Sequence, residues 1–161
     1  MSSGMILSTC VYLIRDGSWL MLLRNKKKHD VNHGKWIGVG GKNLAQESFH
    51  DCAVRELREE TGLKALSLEF HGFVYFTYEH QKSEKIAVYS CRSFSGELTD
   101  CTEGTLKWIP QEQIMKLELW EGDRIFLERM LSDAHARFCY ELRYDESGRM
   151  TAAEERMTEH E

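Results

Sequence analysis

Apolar residues along the chain fall into short runs divided by polar turns, and the runs do not share one period. Residues 5–14, MILSTCVYLI, are expected as a first strand, with residues 19–23 as its partner across the Arg15-Asp16-Gly17-Ser18 turn. Two further strand-like runs occupy 66–79 and 85–92, and Leu106-Lys107-Trp108-Ile109 is a short strand closed by Pro110, the sole proline. Ile125, Leu127, Met130 and Leu131 predict a helix near 122–133. Phe138, Tyr140, Leu142 and Tyr144 alternate with polar neighbours as a strand does, and Glu146-Ser147-Gly148 marks a hairpin turn. Strands and helices mix without regular βαβ alternation, which predicts a mixed sheet between helices.

The clearest helix follows a glycine loop, Val39-Gly40-Gly41-Lys42. Ser48 is the expected N-cap, with Asp51 three residues on in a capping-box-like pair. Phe49, Ala53 and Leu57, with Cys52 beside them, supply an apolar stripe, and Gly62 is a natural stop. Glu56, Glu59 and Glu60 fall at i, i+3 and i+4, so a helix stacks three like charges on one face. Two readings meet here. The face is either solvated and inert, or its hard oxygen ligands hold a divalent cation such as Mg²⁺ or Mn²⁺.

Length and composition fit one soluble domain: 161 residues, 42% hydrophobic and 29% charged. The expected domain is 1–153, with 154–161 as a frayed acidic tail. The net charge of −5 lies largely beyond Tyr144, where six acids face only Arg149 and Arg156. The near-neutral body offers no field for polymeric nucleic acid. No apolar run is long enough to span a membrane, and MSSGMILST lacks a basic segment followed by an apolar one. The 5 cysteines are scattered without a C-x-x-C, as expected of reduced thiols in a cytoplasmic protein. His29 and His33 have metal-ligand spacing, but Asp, Asn and Gly around them predict a loop. The oligomeric state is left open.

The stretch as a whole is more specific than its parts. Gly41, Glu47, Arg55-Glu56-Leu57, Glu59-Glu60 and Gly62-Leu63, in that spacing, resemble the Nudix box at every specified position. The resemblance implies an α/β/α sandwich with a mixed β-sheet, in which the box forms a loop–helix–loop. It implies that Glu56, Glu59, Glu60 and the carbonyl of Gly40 hold Mg²⁺, with Mn²⁺ as an alternative, and that Arg55 and Glu47 orient those carboxylates. Lys42 is then placed to steady phosphate or the attacking water, and Glu59 or Glu56 takes its proton. Asp100 aligns with an additional metal-facing acid, one methylene short, and Glu103 follows it; both also suit an acidic surface turn.

Residues 35–42, KWIGVGGK, and 119–123, LWEGD, resemble segments of 8-oxo-dGTP diphosphatases of the MutT type. There a Trp stacks on the purine and an acid bonds its edge, which here implies Trp120 and Asp123. Trp120 equally suits a core anchor. Ile37 and Gly122 depart from the pattern, standing where mammalian relatives carry an Asn and a second acid. Arg24, ahead of Lys26-Lys27-Lys28, meets the triphosphate or lies in a solvated turn.

The expected function is therefore a metal-dependent pyrophosphohydrolase of oxidised purine nucleoside triphosphates, such as 8-oxo-dGTP, in nucleotide sanitisation and DNA repair. A diphosphate repels water through its negative oxygens, and divalent ions neutralise that charge. Alternatives are a dinucleoside-polyphosphate or other nucleotide-diphosphate hydrolase, for which Tyr78 is suitably spaced, and a nucleotide-sensing regulator. A regulator of this kind usually loses box glutamates, which this chain keeps; a diphosphate isomerase needs a cysteine between Cys10 and Cys52, where none occurs.

Overall fold

The computed structural model describes residues 4–161. In chain order the elements are β1 (Ile6–Arg15), β2 (Ser18–Leu23), β3 (Trp36–Ile37), α1 (Phe49–Thr61), β4 (Lys64–Tyr78), β5 (Glu84–Ser95) and β6 (Thr105–Pro110). A 3₁₀ turn (Gln111–Lys116), α2 (Glu121–Ser132), β7 (Phe138–Tyr144) and β8 (Met150–Glu155) complete it.

Alternation along β1 explains the layering. Val11 and Leu13 enter a core with Ala53 and Leu57 of α1, whereas Tyr12 and Ile14 enter a second core with Phe126 and Leu127 of α2. The sheet is therefore covered on both faces, giving the expected sandwich. Its strand order is β3-β2-β1-β5-β4-β7-β8, with β6 also on β2. β1 runs parallel to β5 and β4 parallel to β7, while the other pairs are antiparallel.

One irregularity builds the site. β1 and β2 pair only next to their turn, at Ile14↔Trp19 and Arg15↔Ser18, and then part. The glycine loop takes up the freed edge of β1, with Val11 N donating to Val39 O at 2.6 Å and Thr9 N to Gly41 O at 2.9 Å. The fit needs glycine, because a Cβ on Gly40 would lie 1.9 Å from Thr9 O. Helix α1 follows, its Ser48 Oγ accepting the Asp51 N–H at 3.0 Å and Gly62 ending it in the left-handed region at φ 79°.

Three elements lay below the resolution of the hydrophobic pattern: β3 has two residues, the 3₁₀ turn is mostly polar, and β8 is nearly all exposed. The expectation that 154–161 frays is corrected. Glu154 and Glu155 pair with β7, and the chain then folds back along the sheet. Tyr75 Oη donates to Glu159 Oε1 and Tyr89 Oη to Glu161 Oε2, both at 2.5 Å, while Arg156 pairs with Glu141. The acidic residues meet phenols and cations there, which an estimate from tail composition ignores.

Candidate active site

The box side chains form a connected network around Arg55. Its Nε and Nη2 donate to the two oxygens of Glu47 at 2.8 and 2.9 Å, its Nη1 to Glu59 at 2.8 Å and Glu56 at 3.3 Å, and Nη2 also reaches Lys42 O at 3.2 Å. The Leu44 N–H adds 2.9 Å to Glu47, so the guanidinium and that amide hold the Glu47 carboxyl down at about 2.

The three glutamates of α1 are not equivalent. Glu59 is exposed and tied to Arg55. Glu56 is partly buried and faces the glycine loop; a Cβ on Gly41 would lie 1.8 Å from its carboxylate oxygen, so glycine there gives the acid its room. Burial pushes the Glu56 carboxyl up, with Arg55 opposing and Glu59 and Glu103 adding to it. Glu60 is 9% exposed and its Oε2 has no hydrogen-bond partner among the described residues. Burial, then Glu103 and Glu56, push its carboxyl up to about 8, against the pull of Arg24 and the Gly40 backbone.

Glu103 thus joins the group, and Asp100 does not. Asp100 is exposed on the preceding loop, whereas Glu103 lines the same cleft as Glu56 and carries ion pairs to Arg24 at 3.4 Å and Lys27 at 3.1 Å. The expected extra acid, Asp100, lies outside the cleft, and its neighbour Glu103 lines it. Sequence alignment of an acidic loop could not settle which residue turns inward; the Cys101↔Gly104 bridge does so, by closing a tight turn around Glu103.

A cleft of about 700 Å³ runs from this group along the glycine loop to α2. Gly40, Lys42, Arg55 and Glu56 line one end, Trp120 and Asp123 the other, and Arg24 the wall between loop and sheet. Arg24 is not a solvated turn residue: its Nε meets Asp30 at 2.6 Å. Trp120 caps α2, donates from Nε1 to Asn32 Oδ1 at 2.7 Å, meets Tyr144 edge-on at 5.7 Å and has Lys35 Nζ 5.1 Å from its ring centroid. Asp123, in the first turn of α2, is 7% exposed, and burial pushes its carboxyl up to about 7, with Lys35 lowering and Glu84 raising it. Asn32, Asp30, Tyr78 and Glu84 also line the cleft. Of these only Tyr78 carried a signal in the sequence.

The NUDIX domain profile matches residues 6–130, most of the chain and all of the box. The protein belongs to the Nudix family. Among its relatives, the oxidized purine nucleoside triphosphate hydrolase of Mus musculus is 28% identical over 126 residues, 78% of this chain and 80% of that one. The CTP pyrophosphohydrolase of Escherichia coli is 29% identical over 126 residues, 76% of this chain and 89% of that one. The MutT protein of Bacillus halodurans superposes with a TM-score of 0.83 over 94% of this chain and 97% of that one; at 20% identity it supports the fold alone.

This Nudix hydrolase acts on phosphorus anhydrides, and its donor set suits the divalent ions the family typically uses. Glu60 offers a buried oxygen with no partner among the described residues, and Glu56 and Glu103 crowd more negative charge onto it than Arg24 neutralises. Hard carboxylate oxygens short of positive charge suit Mg²⁺ or Mn²⁺.

Proposed function

We propose that this Nudix hydrolase cleaves purine nucleoside triphosphates to the monophosphate and pyrophosphate, with oxidised purines such as 8-oxo-dGTP as the preferred class, in nucleotide sanitisation. The observation that carries this reading is the continuity of one cleft from the Glu56 and Arg55 end to Trp120 and Asp123. A ligand with a base at one end and a polyphosphate at the other matches that arrangement, and the mouse relative's name agrees with it.

In this reading Glu56, Glu59, Glu60 and the Gly40 carbonyl hold Mg²⁺ or Mn²⁺, with Glu103 as the additional acid in place of Asp100. The bound ion supplies charge neutralisation on the anhydride and acidifies water. Arg55, itself gripped by Glu47, holds Glu59 and Glu56 in place, and Lys42 and Arg24 lie along the polyphosphate. Water attacks phosphorus, the P–O bond to the leaving pyrophosphate breaks, and a carboxylate takes the water's proton. Glu56 is better placed for that proton than Glu59, because it lines the cleft while Glu59 is exposed. Burial raises its proton affinity above that of an ordinary carboxylate, which favours it as the acceptor. Trp120 stacks on the base and Asp123 bonds its edge. The protein works in the cytoplasm on small nucleotides.

The test is pyrophosphate release from a panel of oxidised and normal nucleoside triphosphates with Mg²⁺. Preference for purines supports the reading, and preference for CTP overturns it. Tyr78 in the cleft favours one second reading, a dinucleoside-polyphosphate hydrolase, so diadenosine tetraphosphate belongs in the same panel.

A further inference from the structure

The base end of the cleft contains a second carboxylate whose role the box does not explain. Glu84 opens β5, where its backbone pairs with Ile6 of β1 on one side and Phe76 of β4 on the other. It is therefore set in the middle of the sheet rather than on a loop. Its side chain lines the cleft with Asp123, Trp120 and Tyr78. Ser8 Oγ donates to Glu84 Oε2 at 2.7 Å, and Ser8 itself is 4% exposed, so one oxygen is anchored by a buried hydroxyl. The other, Oε1, has no hydrogen-bond partner among the described residues.

Asp123 completes the pair. It is 7% exposed, lines the cleft, and makes no hydrogen bond or ion pair among the described residues. Buried polar groups are nearly always partnered, and an unpartnered carboxylate is costly. Glu84 and Asp123 also repel each other electrostatically, since Glu84 raises the Asp123 pKa. Two acceptors converging on one cavity call for a ligand edge with adjacent N–H donors. The guanine-type edge presents N1–H beside the 2-amino group, and oxidation at C8 leaves that edge unchanged. The adenine-type edge instead turns the N1 lone pair toward the acids and is repelled.

We infer that Glu84 is a specificity-determining residue, which together with Asp123 accepts hydrogen bonds from the N1–H and 2-amino group of guanine-type nucleotides. Ser8 is its positioning residue. The inference rests on the purine reading above. It also places the second base-edge acid on β5, whereas the position beside Asp123 in sequence is Gly122, where a side chain would strike Leu142 at 2.6 Å and the Tyr144 hydroxyl at 2.7 Å.

The test uses dGMP, dIMP and dAMP, because dIMP lacks only the 2-amino group. Binding is measured by calorimetry without metal, and kcat/KM for dGTP and dITP is measured with Mg²⁺. Wild type is expected to bind dGMP about tenfold or more tightly than dIMP, and dAMP most weakly. In Glu84→Gln, Ser8 donates to the amide oxygen and leaves the NH₂ facing another donor. The dGMP preference should then shrink to about threefold or less, with dIMP binding little changed; Ser8→Ala should shrink it partway. Glu84→Met repeats the measurement if Glu84→Gln melts early. An unchanged dGMP/dIMP ratio in a folded variant overturns the role of Glu84 while leaving the purine reading intact. An equal loss for all three nucleotides also overturns it. Absence of purine binding by wild type overturns both.

Discussion

Arg55 holds Glu47 with a two-pronged grip, 2.8 Å from Nε and 2.9 Å from Nη2, while its remaining nitrogen reaches Glu59 at 2.8 Å. One guanidinium thereby locks the entry loop to the helix that carries the carboxylates. Lysine is a point charge and cannot make this grip. Arg55→Lys is expected to lower kcat about 10- to 100-fold with little change in melting temperature, since Arg55 is partly solvated. Carboxyl NMR is the direct check: the Glu47 pKa should rise from about 2 toward the ordinary carboxylate range. A Glu47 pKa that stays put in the variant contradicts the assignment.

Glu60 separates metal function from folding. Its carboxyl is pushed up by burial and by Glu103 and Glu56, so the ionised form strains the metal-free fold. Glu60→Gln should leave the melting temperature in EDTA equal or higher. It should also lose most of the Mg²⁺-induced rise seen in wild type, and kcat should fall at least ~100-fold. Equal Mg²⁺ shifts in the two proteins would sink the metal role.

Asp123 predicts a pH dependence with a definite sign. Its carboxyl lies at about 7 in the fold against 3.8 as the ordinary value, so between these the folded state binds the extra proton. Stability should therefore fall as pH rises from about 4 to about 7 and level off above that. Asp123→Asn removes this contribution, and its melting temperature should gain on wild type across that window in EDTA. A difference that does not vary with pH contradicts the burial argument.

Trp120 and Asp123 should differ in kind when removed. Trp120→Ala should weaken all purine triphosphates together, by roughly 1–3 kcal/mol of lost stacking. Asp123→Asn should alter the dGTP to dATP ratio, because a hydrogen-bonding group discriminates by leaving partners unpaired. The readout is kcat/KM for both substrates. An unchanged ratio in folded Asp123→Asn removes Asp123 from base reading.

The C-terminal segment should be stabilising. Deleting 156–161 removes the acceptors of Tyr75 and Tyr89 and the partner of Lys85. A loss of about 1–3 kcal/mol, or roughly 2–10 °C in melting temperature, is expected. No change would mean that these contacts exchange freely with water.

Elements whose information is local could be read from the order of residues. The Ser48 cap, the Gly62 stop and the spacing of Glu47, Arg55, Glu56, Glu59 and Glu60 are properties of one helix and its entry loop, so they were readable from order alone. The apolar run of β1 and the alternation in β7 showed strands, but not that β1 would part from β2 and accept the glycine loop on its freed edge. Tertiary structure decided the rest, because those outcomes depend on which distant groups meet. Asp100 and Glu103 are near neighbours in sequence, yet only the turn through Cys101 and Gly104 aims one of them inward. Glu154 to Glu161 looked like a solvated tail, yet Tyr75, Tyr89 and Lys85 meet its glutamates and Glu141 meets its Arg156. Glu84 gave no signal at all, since a glutamate opening a strand is ordinary. Its meaning comes from sharing a cavity with Asp123, 39 positions away, and burial makes that shared cavity felt as raised proton affinity.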